Sequence, residues 1–161
     1  MGGQNLLKKI YFILAPDEWH GYDTESVWAE EISKNKFRVG NSPFFAKGVS
    51  FEDIVATKRI NHQDIYDKTL ISSGHSTYRL LVKDHNFPEP FNSYWKPIEK
   101  LGVSYEENTK LALRMFALDI PPATDIEKVY ALLEEGENAG IWDFEEGHFG
   151  HIKTKETSKT S

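Results

Sequence analysis

The sequence predicts an α+β protein, with a mostly antiparallel β half over residues 1–86 and an α/β half over 87–150. Three observations support this. Short alternations of apolar and polar residues, separated by turn-forming residues, fill the first half. After Phe87-Pro88-Glu89-Pro90 the segments lengthen and take helical spacing. Residues 151–161 are rich in Lys, Thr and Ser and are expected to form a flexible tail.

Leu6 to Leu14 reads as a strand, with Ile10, Phe12 and Leu14 on one face and Tyr11 and Ile13 on the other. Apolar residues on both faces predict a central strand. Pro16 to Thr24 is a loop. Ser26 to Ser33 alternates, turns at Lys34-Asn35-Lys36 and returns through Phe37-Arg38-Val39. This predicts a hairpin, because Asn tolerates the positive φ of a tight turn. Gly40 to Gly48 is turn-rich. Strands are then expected through Ile54, Ala56 and Lys58, over Ile65 to Ser72, and over Thr77 to Lys83 beyond a Ser72-Ser73-Gly74 turn. Such spacing suits a small barrel or a strongly bent sheet.

In the second half, residues 93–101 read as a short helix closed by Gly102. Val103 to Glu107 and Lys110 to Ile120 are strand-like, the latter including Leu111-Ala112-Leu113 and ending at Pro121-Pro122. Thr124 and Glu127 match a capping box, in which each side chain satisfies a free backbone N–H. Ile126, Val129, Tyr130 and Leu133 share one helical face, and Gly136 is expected to stop the helix after Glu135. This β-α-β-β-α order resembles a ferredoxin-like unit, with helices covering one sheet face. The link at 84–92 is too short to separate the halves, so one continuous domain is also compatible with the pattern.

Composition narrows the function classes. The chain has 161 residues with 39% hydrophobic content, 10 Phe, 7 Tyr and 4 Trp, enough to build a packed interior. It holds no cysteine, which excludes disulfides, thiolate zinc sites and thiol catalysis. No apolar run approaches the ~18 residues of a membrane span, and Ile10 to Ala15 lacks a signal-peptide pattern. A cytoplasmic location is the expectation. Net charge is −6, and residues 125–146 hold eight acids against the single base Lys128. That concentration argues against nucleic acid and for a basic partner.

Chemical constellations are sparse. His148 and His151, with Asp143, Glu145 and Glu146 upstream, could bind a divalent ion, but Gly147 and Gly150 break any helix aligning the rings. A flexible polar end explains them more simply, and no metal or cofactor is expected. His75, Arg79 and Lys83 lie near one another, yet no glycine-rich phosphate loop accompanies them. Exposed bases bordering a sheet are the simpler account. Ser72-Ser73-Gly74-His75-Ser76 lacks the Gly-x-Ser-x-Gly elbow of a reactive serine. No catalytic residue is assigned. In the acidic run, Trp142 and Phe144 are either core plugs or interface anchors. The candidate partner-binding residues are Glu134, Glu135, Glu137, Trp142, Asp143, Glu145 and Glu146.

The segment Asn41-Ser42-Pro43-Phe44-Phe45-Ala46-Lys47-Gly48-Val49-Ser50, preceded by Val27-Trp28-Ala29-Glu30 and Phe37-Arg38-Val39, resembles a bacterial family known as domain of unknown function 4265. Ser76-x-Tyr78-Arg79, Leu101-Gly102 and Gly140-x-Trp142-Asp143 are similar to its weaker motifs, so the resemblance covers roughly residues 25–146. It implies no activity. Physically the block reads as a packing corner: Pro43 fixes φ, Phe44 and Phe45 supply buried area, and Gly48 permits a reversal. A pocket framed by Phe45, Lys47, Asp53 and Trp28 is the alternative. The expectation for function is a non-enzymatic, acidic immunity-type protein that neutralises a basic, nuclease-like toxin domain. The alternatives are a small hydrolase or nucleotide-handling enzyme using His75 and Arg79, and a regulatory module with a ligand between the halves.

Overall fold

The computed structural model describes residues 6–108 and 114–152. The strand expectation at Leu111-Ala112-Leu113 and the tail at 153–161 lie outside the described residues. The protein is α+β, with a five-stranded sheet closed into a ring and a four-stranded sheet bearing two helices.

The ring contains β1 (Leu7–Ile13), β2 (Thr24–Ser33), β3 (Lys36–Val39), β4 (Ile54–Ile60) and β5 (Gln63–Ile71), hydrogen-bonded in that order. Neighbours are antiparallel, and β1 closes on β5 in parallel through Ile10↔Asp64 and Tyr11↔Ile65. The β2–β3 turn uses Asn35 at φ 63°, as its side chain allows. Period-2 alternation sends Ile10, Phe12, Val27, Ala29, Phe37, Val39 and Val55 inward, where the loop residues Ala46 and Val49 join them. Each large member adds roughly 1.5–3 kcal/mol by leaving water. The two-sided burial expected for β1 is not found: Ile13 is 69% exposed. A ring has a single interior, so only one parity of each strand is covered.

The second sheet has the order β7-β8-β6-β9, every pair antiparallel. It comprises β6 (Ser76–Val82), β7 (Ser104–Asn108), β8 (Arg114–Ile120) and β9 (Trp142–His148). Helix α1 (Phe91–Glu99) lies between β6 and β7 in the chain, and α2 (Ile126–Asn138) between β8 and β9. Tyr78, Leu80, Val82, Phe116, Leu118, Ile120 and Trp142 form one core with Phe91, Trp95 and Ile98 of α1 and Val129 and Leu133 of α2. The strand expected over 77–83 is therefore β6 of this sheet and no part of the ring. It is buried on both faces, one against the helices and the other against the ring's loops.

Three local expectations change. Asp125, and not Thr124, caps α2: its carboxylate accepts from the N–H of Glu127 and Lys128. Thr124 instead donates its hydroxyl to Leu101 O at 2.8 Å. Helix α2 runs through Gly136 to Asn138. That glycine serves packing, because a Cβ there would stand 2.3 Å from the Trp142 ring, whose Nε1–H donates to Leu133 O. Finally, the acidic run continues as strand β9, which is paired with β6.

Candidate functional site

The Asn41–Ser50 block lies between the ring and the open face of the four-stranded sheet. The Glu25 carboxylate, on β2, accepts three consecutive backbone N–H groups, from Phe44, Phe45 and Ala46, at 2.5, 2.9 and 2.8 Å. Consecutive amides forming such a concavity bind an anion well, and here the protein supplies its own. Asn41 Oδ1 accepts from Trp28 N, holding the block to β2 on its other side. Gly48, at φ 81°, donates its N–H to Gly147 O of β9. Ser50 Oγ bonds both Thr77 Oγ1 and His148 Nδ1, at 2.7 and 2.8 Å. The block is thus the seam joining the two lobes.

Arg79 reaches into this seam from β6. It is only 2% exposed, so the expectation of an exposed base at a sheet border is corrected. Its Nη2 donates to Ala46 O and its Nη1 to Glu145, while Nε finds no partner among the described residues. A buried cation needs this neutralisation, because desolvation costs several kcal/mol per ion. Gly147 leaves the space: a Cβ there would lie 3.0 Å from the guanidinium. Lys83 is exposed and does not converge with it.

His75 sits on the linker between β5 and β6, its Nδ1 2.7 Å from Asp119 of β8 and its Nε2 3.7 Å from Glu52. Burial raises the Asp119 carboxyl above its ordinary range, with the His75 hydrogen bond and charge opposing. Ser73 Oγ is engaged with Phe51 O and Asp53, which leaves it structural. Burial, and then the neighbouring Glu146 carboxylate, likewise raise the Tyr78 phenol.

His148 and His151 belong to no flexible end, and they do not converge on a common point. His151 Nε2 donates to Pro121 O at 2.8 Å, and Nδ1 pairs with Ser76 Oγ at 2.6 Å. Ser76 Oγ also accepts from Gly150 N and His151 N, so both its lone pairs are used and its hydrogen goes to Nδ1. That geometry places the ring hydrogen on Nε2. Among the described residues no group of three His, Asp or Glu is placed to hold a metal ion.

The acidic candidates divide by position. Glu134, Glu135 and Glu137 are exposed on α2, and Asp143 and Glu146 are exposed on β9. Glu145 is half-exposed and committed to Arg79. Trp142 is 1% exposed and cannot meet a partner; it belongs to the core, where α2 covers it. Two exposed aromatics lie beside these acids among the described residues: Trp19, on the β1–β2 loop and 49% exposed, and Tyr130 of α2, 43% exposed and packed on Phe144. Trp19, Leu81, Met115, Asp143, Phe144 and Glu145 line a notch of about 60 Å³ over Arg79. Sequence reasoning missed Trp19; the one available signal was a tryptophan inside the polar turn Pro16-Asp17-Glu18-Trp19-His20-Gly21.

A larger cleft of about 180 Å³ opens at the end of β1, between Phe12, Tyr66, Phe45, His20, Glu18 and Lys47. In the alternative to the packing-corner reading, Phe45 and Lys47 frame a pocket, and both do line this cleft. Their expected companions lie elsewhere: Asp53 is fully buried with Ser50 and Ser73, and Trp28 stacks under Lys9 on the ring exterior.

The family model described as domain of unknown function (DUF4265) matches residues 25–144. The chain belongs to this family. No curated protein matches the sequence. A crystal structure of a hypothetical protein from Neisseria gonorrhoeae is similar in fold, with a TM-score of 0.75 at 21% identity over 92% of this chain and 99% of that one. At that identity the likeness concerns the fold alone. Within the DUF4265 match lie the Glu25-bound block, Arg79 and Asp119, whereas Trp19, His20, His148 and His151 fall outside it.

Proposed function

We propose that this protein is a non-enzymatic cytoplasmic binding protein of the immunity type, whose acidic face neutralises a basic, nuclease-like toxin domain. One observation carries the reading. The exposed Trp19 stands at a notch over the Arg79–Glu145 pair and rimmed by Asp143, with Glu146 farther along β9 and Glu134, Glu135 and Glu137 on α2, which packs against β9. An aromatic anchor within an acidic rim suits a lysine or arginine side chain, through cation–π contact and a charge-assisted hydrogen bond. The same charge disfavours nucleic acid as a partner.

The finer architecture belongs to this proposal. The ring is read as barrel-like. The second lobe is read as ferredoxin-like, supported by the order β7-β8-β6-β9 with a helix after β6 and another after β8. The lobes are read as one continuous domain, supported by the hydrogen bonds from Arg79 and Ser50 across the seam.

The test is a binding and growth-rescue assay against the toxin domain encoded immediately upstream. Binding that weakens with salt, and falls at least tenfold in Trp19→Ala and Asp143→Lys, is the expected result. Absence of such a neighbour, or rescue unaffected by both substitutions, overturns the reading. A ligand-binding role, the second reading, is favoured by the cleft at the end of β1, although that cleft is lined by the β half alone and does not lie between the halves as expected from the sequence.

A further inference from the structure

We propose that the cleft at the end of β1 is a small-molecule site for a single-ring carboxylic acid. The inference is independent of the acidic face.

Size sets the first constraint. The cleft measures about 180 Å³, and an apolar cavity of roughly 150 Å³ holds one benzene ring. One six-membered ring with a short substituent fits; a nucleotide does not. The walls suit such a ring. Phe12 and Tyr66 pack with centroids 4.9 Å apart, and Phe45 lies 4.5 Å from the His20 ring. Aromatic walls favour a flat ligand through offset or edge contacts.

The polar groups set the second. The backbone N–H of Tyr22 donates to His20 Nδ1 at 2.9 Å. A backbone N–H can only donate, so Nδ1 is the acceptor and the neutral ring carries its hydrogen on Nε2. That Nε2 lies 3.8 Å from Glu18 Oε1, and Lys47 Nζ lies 3.8 Å from the same oxygen. Both distances exceed a hydrogen bond. Two donors therefore share one loosely held carboxylate, on a side chain 38% exposed. Glu18 occupies the place that a ligand carboxylate would take: the ligand's oxygens would accept from Lys47 and His20 Nε2, its ring would enter between the aromatic walls, and Glu18 would swing to solvent. Glu18 is thus a built-in competitor, and its removal should strengthen binding.

The experiment titrates benzoate and phenylacetate, with benzamide as the neutral control, into the full-length 15N-labelled protein by NMR. The expected dissociation constants for the acids are on the order of 0.1–1 mM, fitting for nine- or ten-atom ligands, with shifts at Phe45, Lys47 and the Trp19 indole. Benzamide should bind about tenfold more weakly, and Lys47→Gln should weaken benzoate about tenfold through loss of the charge-assisted contact. Glu18→Ala should tighten benzoate several-fold while leaving Tm unchanged. Benzamide binding as well as benzoate, Glu18→Ala binding benzoate no better than the native chain, or no shift from either acid at 10 mM (about ten times the upper dissociation constant), would each overturn the proposal.

Discussion

Two glutamates separate the scaffold from the working surface. Glu25 accepts three backbone N–H groups at the seam, each within hydrogen-bond distance. Glu18, on the loop before it, stands 3.8 Å from each of its two cationic or polar neighbours and makes no short contact with either. The residue type is the same; what differs is how completely the protein satisfies it. A carboxylate saturated by backbone holds structure together, and removing it exposes the desolvation cost of its partners. A loosely held one gives up little when a ligand or partner displaces it. The backbone of the Asn41–Ser50 block accordingly reads as scaffold, and the Glu18–Tyr22 loop, with the Phe45 and Lys47 side chains facing the cleft and the acids of β9 beside it, reads as the surface available for binding.

Substitutions can break or sharpen that comparison. The largest effect is expected in the core that supports the acidic face: Gly136→Val drives a side chain into the Trp142 ring. It should cost about 4 kcal/mol or more, as severe overpacking does, measured by urea unfolding. Next comes Glu25→Ala, which leaves the amides of Phe44, Phe45 and Ala46 without their acceptor. A loss of roughly 2–4 kcal/mol is expected, with Glu25→Gln recovering part of it, since an amide oxygen still accepts. A stability change for Glu25→Ala as small as that of a surface substitution would erase the distinction between the two glutamates.

Asp119→Asn should have a smaller effect that depends on pH. The Asp119 carboxyl is raised in the folded protein, so the protonated form is the one that folding favours. Its contribution is full below the ordinary aspartate value of 3.8 and is lost as pH rises through the raised folded value. Wild type should therefore lose stability relative to Asp119→Asn as pH climbs from about 3.5 towards neutrality. A constant difference across that range would show that His75 offsets the burial completely. Smallest of all, Glu18→Ala should change stability by less than about 0.5 kcal/mol.

Much of this division was legible in the sequence. The β2–β3 hairpin follows from Asn35, and the Pro-Phe-Phe-Ala-x-Gly block does form a packing corner. The role of Glu25 was not visible, because its three amides are some twenty residues away and no local pattern pairs them. β9 was obscured by its own composition: Trp142 and Phe144 keep a period of two, but the acids between them read as a charged run. Gly136 looked like a helix stop because its packing partner is Trp142, which comes after the helix has ended. The choice between core plug and interface anchor for Trp142 was open for the same reason, and it falls to the core, while Trp19, read only as part of a loop, is half-exposed. Which tryptophan faces water depends on where α2 and the β1–β2 loop come to rest, and that is a property of tertiary packing.

The most direct test of the contrast is an NMR titration of the labelled protein with the toxin domain encoded beside it. The Trp19 indole and the amides of Asp143 and Glu146 should shift, while the amides of Phe44, Phe45 and Ala46 stay in place. Shifts confined to Phe44–Ala46, with Trp19 and the β9 acids silent, would contradict the account and move the working surface to the seam.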